Sequence, residues 1–278
     1  MIPSSPNDNP KSAYERQLAI LALLKRSGSV TVQELANNFA CSLATIRRDL
    51  QDLVKHEPEI RRYHGAVGIE PHATEQWFNE KTSLFTDEKE ELAQLVVDWL
   101  PDGSIVGLNG GTTTTQVAAA IGKNPKGMTV VTNAINIAYQ LARADVAVVV
   151  IGGDLRPYNY ETTGTMAIAG LSHLHLDWAI LGANGVHPKV GITTTANEEA
   201  LLGQSFRRSA NKILIIADHS KIERNALYRM LSWTETDYVA TGMDAFSTIR
   251  DWPLTSSPVF NERKTVGIWE TKLGREQP

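Results

Sequence analysis

The run Asn109-Gly110-Gly111-Thr112-Thr113-Thr114-Thr115 brings together groups that can bind an anion without help from a cofactor. Paired glycines let a backbone approach a ligand closely. Threonine hydroxyls and the first N–H groups of a following helix supply donors. No Gly-Lys-Ser/Thr follows, so this is not a Walker loop, and the glycine spacing is not the dinucleotide fingerprint. A phosphate or carboxylate cradle is the economical reading, weighed against a structural glycine turn with threonine caps. Four other short motifs carry polar groups: Thr132-Asn133, Gly152-Gly153-Asp154-Leu155-Arg156, Gly182-Ala183-Asn184-Gly185 and Asp218-His219-Ser220-Lys221. Arg156 and Lys221 could each reach a phosphate or sit in a surface salt bridge. Glu198-Glu199 opens a helix, where carboxylates favour the positive end of the dipole, and can also hydrogen-bond sugar hydroxyls. His173-x-His175 has no obvious carboxylate or cysteine partner, so a metal site there is disfavoured. No cofactor is expected.

A different chemistry is concentrated near the N terminus. Ile46, Leu50 and Leu53 fall at i, i+4 and i+7 and form one apolar stripe. At about 100° per residue, Ala44, Arg48, Gln51 and Lys55 then lie on the opposite side, with Arg47 on the flank. Arg and Gln can make bidentate contacts to guanine and adenine edges in a major groove, and Lys can reach phosphate. The following Glu59-Ile60-Arg61-Arg62-Tyr63-His64-Gly65 is short enough for a hairpin wing whose basic residues, Arg61, Arg62 and His64, and Tyr63 could lie on the DNA backbone or minor groove. A solvated helix face and a charged loop are the bland alternative for each of these features alone.

These residues need elements to hold them. In the head, a first helix over Tyr14–Arg26 carries Leu18, Leu21 and Leu24 on one side, and Gly28 suits a left-handed exit. Thr31 and Glu34 have capping-box spacing for a second helix, with Leu35 and Phe39 facing its core. Ala40-Cys41 makes a turn, and Ser42 caps a third helix, Leu43–Lys55. Two short helices joined by a tight turn form a helix-turn-helix. Beyond a connector, Asp87–Leu100 is helical, with Leu92, Leu95, Val96 and Trp99 on one face. Strands then alternate with helices. Strands are expected at Ile105–Leu108, Thr129–Thr132, Ala147–Ile151, Trp178–Leu181, Ile213–Ala217, Tyr238–Thr241 and Thr265–Trp269. Helices are expected at Thr113–Ile121, Ala134–Ala142, Gly164–His173, Asn197–Ala210 and Ala245–Asp251. Such alternation implies an α/β domain with a mostly parallel sheet covered on both faces. Ligands of such sheets sit at the carboxyl ends of strands, where the polar motifs above all fall.

The expected organisation is a disordered tail over residues 1–12, a winged helix-turn-helix over 13–68, a linker over 69–86 and an α/β sensor domain over 87–278. The opening MIPSSPNDNP is neither a signal peptide nor a structured element by its composition. Hydrophobic residues make up 42% of the 278 and charged residues 21%, which argues against a disordered or coiled-coil chain. Near-apolar runs such as Val146–Ile151 are strand-sized, so no membrane helix is expected. The single cysteine, Cys41, excludes a disulfide framework and a Cys-rich zinc site, and the cytoplasm is the default compartment. The net charge of −4 is uneven. Lys11–Gly65 holds nine basic and six acidic residues, a net of +3, and the remainder holds 18 and 25, a net of −7. A basic head on an acidic body points the head towards a polyanion.

The stretch Ser42-Leu-Ala-Thr45-Ile-Arg-Arg-Asp-Leu50, then Leu53 and Arg62-Tyr-His-Gly-Ala66, resembles the DNA-binding head of DeoR-type bacterial transcriptional regulators. The departures, Gly65-Ala66-Val67 for Gly-Gly-Ala and His56-Glu57-Pro58 for a glycine turn, touch the wing and leave the helix intact. The resemblance adds Ser42 and Thr45 to the expected DNA-binding residues. It extends over about 265 residues, through Gly111–Thr114, Thr132-Asn133, Gly152–Arg156, Asp177–Gly185 and Asp218–Lys221. It implies a sensor domain similar to ribose-5-phosphate isomerase and a phosphorylated sugar or related metabolite as effector. The expected effector-binding residues are Asn109, Gly110, Gly111, Thr112, Thr113, Thr114, Asn133, Arg156, Asn184, Glu198 and Lys221. Double-stranded operator DNA and a second copy of the chain, as dimer or tetramer, are the expected partners. The competing reading is a sugar-phosphate isomerase with an appended head. Isomerisation needs a general base, and the similar isomerases carry an acidic pair where this chain has Asn184 and Gly185. An RNA- or protein-binding module is a third reading; base-stacking aromatics on the third helix would favour it, and that face has none.

Overall fold

A computed structural model describes residues 12–27, 29–56, 60–63, 66–69, 78, 82–157, 159–255 and 258–272. The expected exit at Gly28 and the wing residue His64 lie outside the described residues. The chain forms two compact units, residues 1–74 and 75–278.

The N-terminal unit contains α1 (Ala13–Ser27), β1 (Ser29–Thr31), α2 (Val32–Asn38), α3 (Leu43–His56), β2 (Ile60–Tyr63) and β3 (Ala66–Ile69). The three strands form an antiparallel sheet in the order β1-β3-β2, so a helix-turn-helix carries a winged hairpin. Thr31 and Glu34 close a reciprocal capping box on α2. The Thr31 hydroxyl accepts from the Glu34 amide at 3.1 Å, and the Glu34 carboxylate accepts from the Thr31 amide at 2.8 Å. The Thr31 amide and hydroxyl, both donating to it, hold the Glu34 carboxyl below the usual carboxylate range. The core is Ile20, Leu24, Val30, Leu35, Ala36, Ile46, Leu50, Leu53 and Val67. Full burial of each large aliphatic side chain is worth about 1.5–3 kcal/mol. One expected core position is corrected: Leu18 is 49% exposed, and Ile20 takes the inward place one turn from Leu24. Ser29–Thr31 is a strand, where only a turn and a cap were expected, because Val30 pairs with Val67 across β3.

The C-terminal unit begins, among its named elements, with α4 (Thr86–Trp99). It continues through β4 (Ile105–Leu108), α5 (Thr112–Lys123), β5 (Thr129–Thr132), α6 (Ile135–Ala142) and β6 (Ala147–Val150). A short hairpin follows, β7 (Asp154–Arg156) and β8 (Glu161–Thr163), then α7 (Thr165–Ser172) and β9 (Leu176–Gly182). Next come β10 (Gly185–His187), β11 (Gly191–Thr194), α8 (Asn197–Ser209), β12 (Ala210–Ile216) and β13 (Tyr228–Leu231). The last elements are β14 (Tyr238–Gly242), α9 (Phe246–Ile249), β15 (Val259–Phe260) and β16 (Val266–Glu270).

Eight strands make the main sheet, in the order β15-β16-β14-β12-β9-β4-β5-β6. From β14 to β6 all neighbours are parallel; β16 and β15 close one edge antiparallel. Side-chain alternation divides the core by face. Val106, Ile180, Leu214 and Ile216 pack with α4, α5 and α6, while Ala179, Leu181, Ile213 and Ile215 pack with α7 and α8. Gly107 sits mid-strand because a Cβ there would stand 2.7 Å from Leu176 and 3.0 Å from the Phe206 ring. The expected strands and helices are present with shifted ends, except that Ala245–Asp251 is reduced to the single turn of α9 behind a 3₁₀ turn, Met243–Ala245. The hairpin β7-β8 and a second antiparallel sheet, β10-β11-β13, were not expected.

The strand order reverses at β4. From it the chain moves outward to β5 and β6, then returns to the other side as β9. The loops after β4 and β9 therefore diverge, leaving a crevice at the carboxyl ends of the sheet, the place where ligands of open α/β sheets bind.

Candidate functional site

The loops after β4 and β9 are bridged across that crevice by one side chain. The Asn109 amide donates to the Gly182 carbonyl at 3.2 Å and accepts from the Gly182 N–H at 2.8 Å. Below the bridge lies a cavity of about 260 Å³. Asn109, Gly110, Gly111, Thr112, Thr113, Asn184 and Lys221 all line it, so seven of the expected effector residues are brought together. Gly111, at φ 137°, turns the chain into α5, and no side chain caps that helix. The first-turn N–H groups of an α-helix have no partner within the helix and carry its positive dipole end. Residues 111–113, which carry that end, border the cavity. Lys221 arrives on a 3₁₀ turn, His219–Lys221, held by Asp218, whose Oδ1 accepts from the Ser220 amide at 3.1 Å.

Four expected residues lie elsewhere. Thr114 is fully buried, and its hydroxyl donates back to the Gly111 carbonyl at 3.1 Å. Asn133 is fully buried and holds the β7-β8 hairpin, its amide donating to the Thr162 carbonyl at 3.1 Å. Arg156 is turned to Glu199, at 2.9 Å, because β7 carries it behind the mouth. Glu198 points to solvent, and its neighbour Glu199 lines the cavity.

The residues that sequence reasoning missed form a network behind the cradle. Glu161 on β8 is 2% exposed and accepts from the Gly110 N–H at 2.6 Å. A Cβ at residue 110 would fall 2.2 Å from the Glu161 side chain, so Gly110 is needed for this contact. The Asn159 amide donates to both Glu161 and Glu199, and the Thr194 hydroxyl lies within hydrogen-bond reach of both Glu199 and Asn184. Burial pushes the Glu161 carboxyl well above the usual range; the Glu199 charge adds to this, while Arg156, the Gly110 amide and Asn159 oppose it. No sequence signal joins Glu161 to Gly110, which are 51 residues apart.

The lining also includes the cations Lys89 and Arg224 beside Lys221, and the carboxylates Asp218 and Glu199. Both carboxylates are already engaged: Asp218 by Ser220, Glu199 by Arg156, Asn159 and Thr194. The site therefore offers positive charge, helix N–H groups, hydroxyls and amides, which suits an anion bearing hydroxyl groups. Two hollows of about 370 and 350 Å³ lie around Arg207, Arg208 and Glu235, the first bordering the amino end of β12 and the second β13. Neither is lined by an expected effector residue or by the N-terminus of an α-helix.

In the N-terminal unit, Ser42, Ala44, Arg47, Arg48 and Gln51 are exposed on α3, opposite the buried Ile46, Leu50 and Leu53. The Ser42 hydroxyl accepts from the Thr45 amide at 3.1 Å and caps the helix start. Lys55 lies in α3, and Arg61 and Arg62 lie in β2. Asp49 on α3 is 3% exposed and accepts from Arg16 of α1, at 2.6 Å from Nε and 3.2 Å from Nη2. That fork ties α1 to α3, and its hydrogen bonds raise the Arg16 pKa further. Among the described residues no helix is long and apolar enough to cross a membrane.

Comparisons with known proteins follow this division. A family model described as a DeoR-like helix-turn-helix domain matches residues 16–71, and one described as the DeoR C terminal sensor domain matches residues 84–243. The glycerol-3-phosphate regulon repressor of Escherichia coli is 30% identical over 228 residues, covering 82% of this chain and 90% of that one. The HTH-type transcriptional regulator GlpR of Haloferax volcanii is 31% identical over 82% of this chain and 89% of its own. The HTH-type transcriptional repressor GlcR of Bacillus subtilis is 29% identical over 82% and 87%. Among solved structures, a D-ribose-5-phosphate isomerase in complex with phospho-erythronic acid is 13% identical over 67% of this chain and 79% of its own, with a TM-score of 0.39. Both halves match in order, and the relatives align over most of their length. The chain belongs to the DeoR family of DNA-binding transcriptional regulators.

Proposed function

We propose that the protein is a repressor of a sugar- or polyol-phosphate operon, and that a phosphorylated metabolite bound at the carboxyl ends of β4 and β9 changes its affinity for operator DNA. The observation that carries this reading is the uncapped N-terminus of α5 beside Lys221, in a cavity whose carboxylates are already engaged. Residues 111–113 and Lys221 take the phosphate. Asn184, Asn159 and Glu199 take hydroxyl groups. The relatives' names, a glycerol-3-phosphate regulon repressor among them, support the same class of effector.

In the head, Arg48 and Gln51 read base edges, with Ala44 and Arg47 beside them. Ser42, Thr45, Lys55, Arg61, Arg62 and His64 meet the backbone or minor groove. Paired half-sites call for a homo-oligomer, dimer or tetramer. A ligand switches such a protein only by binding its DNA-competent and incompetent states unequally. Catalysis is not part of the function. Asn184 and Gly185 supply no general base, and Glu161 lies behind Gly110, not in the cavity lining.

The test is a thermal-shift screen of sugar and polyol phosphates, followed by gel-shift titration of the operator with each hit. A specific ligand at about 100 times its Kd adds about 2.7 kcal/mol of stability. The effector reading fails if no phosphate ester raises Tm, or if the one that does leaves DNA affinity unchanged. Isomerase turnover that survives rigorous purification would reverse the choice between regulator and enzyme.

A further inference from the structure

Lys89, in the first turns of α4, is an ammonium inside the sensor domain. It is 3% exposed, lines the same cavity as Lys221, and donates from Nζ to the Leu84 carbonyl at 2.6 Å. Leu84 and Phe85 line the cavity as well, just where the chain enters α4. Phe85 holds a left-handed backbone at φ 53°, which a residue with a side chain adopts only when its surroundings impose it. The surroundings are visible. The Phe85 ring meets His219 edge-on at 4.7 Å, and Glu88 accepts from both the His219 amide, at 2.7 Å, and its Nδ1, at 2.6 Å. His219 begins the turn that ends in Lys221. The entry to α4 and the Lys221 turn are thus one fastened unit on the cavity.

We infer that Lys89 is a second phosphate-binding cation of the cavity, and that its bond to Leu84 passes occupancy to the segment 84–89, which opens α4. This rests on the cavity being the anion site. An ammonium has three donors, so Lys89 can hold a phosphate oxygen without first releasing Leu84. A phosphate drawing Nζ towards the α5 N-terminus draws on the Leu84 carbonyl, and Phe85 is the residue whose strained backbone that pull loads or relieves. Ligand contact at Lys89 thereby becomes a change at the entry to α4.

Inorganic phosphate is the probe, titrated calorimetrically into the full-length protein. Lys89→Gln deletes the charge and keeps a donor for Leu84; Lys89→Met deletes both; Lys221→Met tests the cavity itself; Lys123→Met, at the far end of α5, controls for net charge. Parent and Lys123→Met should bind alike, and Lys89→Gln and Lys221→Met should each bind about tenfold more weakly or worse. Hydrogen exchange over residues 84–89 should change with phosphate in the parent and not in Lys89→Gln. If Lys221→Met binds more weakly while folded Lys89→Gln binds as the parent does, the Lys89 inference is overturned and the cavity stands. If phosphate binding is absent in the parent, or survives in both lysine variants, the cavity reading falls and takes this inference with it. Weakened binding in Lys89→Gln with no exchange response in the parent overturns the transmission through Leu84. Should Lys89→Met fail to fold, Lys89→Gln decides alone.

Discussion

At the scale of single residues, opposite sides of one helix turn can have unrelated duties. Arg48 is exposed while Asp49 beside it is buried under Arg16. Arg48→Ala should therefore leave the circular-dichroism spectrum intact and weaken operator binding by about 1–3 kcal/mol per half-site, the value of a good bidentate base contact. Gel-shift titration at fixed salt checks this, and unchanged affinity would remove α3 from the reading role. Glu161 makes a second residue-scale prediction. Its carboxyl is raised by burial and by Glu199, so the folded state favours the protonated form. A group raised on folding contributes stability that is whole below its unfolded pKa and is lost as pH rises through its folded pKa. Glu161→Gln cannot ionise and should lose nothing over that window. The Tm of parent minus variant should thus fall steadily as pH rises above the ordinary carboxylate range, and a constant difference from pH 5 to pH 8 would mean that Glu161 is not held neutral. Arg48 was legible because helical periodicity alone assigns its side. Glu161 was not, because only the folding of β8 against the β4 loop makes it a partner of Gly110.

At the scale of elements, legibility follows length and pattern. The six parallel strands and their helices carry continuous apolar runs or 3.6-residue stripes, which local sequence displays. Strands β7, β8, β10 and β11 are three or four residues long, and none holds more than one large apolar residue. They pair as short local hairpins, β7 with β8 and β10 with β11, and runs this short hold too few residues to display a period. Yet β8 and β11 carry Glu161 and Thr194, so part of the network behind the cradle stands on the elements that were missed. The contact between elements also sets stability. Asp49→Ala strands the guanidinium of Arg16 between α1 and α3, and removing one partner of a buried ion pair costs about 3–5 kcal/mol. The N-terminal unit of that variant should melt at lower temperature and lose operator binding while still binding the effector, as thermal melts and calorimetry would show. In the sheet, Gly107→Ala places a methyl against Leu176 and Phe206 and should cost about 1–3 kcal/mol by overpacking. A Tm equal to the parent's would mean that Phe206 moves freely, which a fully buried ring at the centre of the core does not.

At the scale of the whole molecule, the two units divide the labour: one holds the helix-turn-helix with the helix proposed to read DNA, the other the cavity, and each has its own core. Mutations in the cavity should then separate sensing from binding. Thr112→Val keeps the side-chain shape and deletes a hydroxyl at the mouth of α5, and Lys221→Met keeps most of the stem and deletes a charge. Hydrogen bonds to charged groups are worth about 1.5–3 kcal/mol, so each change should weaken effector binding by about ten- to a hundredfold. Neither side chain belongs to the N-terminal core or to α3, so operator affinity without effector should match the parent's. The titration that matters is operator binding against rising effector: the parent's curve should shift, and those of both variants should stay flat until the effector is raised ten- to a hundredfold, the same factor. Since coupling is reciprocal, operator DNA should change the parent's effector affinity by the factor that effector changes its DNA affinity. Parent-like effector binding in both variants would place the phosphate at other strand ends. Altered operator affinity without effector would mean instead that the empty cavity itself sets the DNA-binding state.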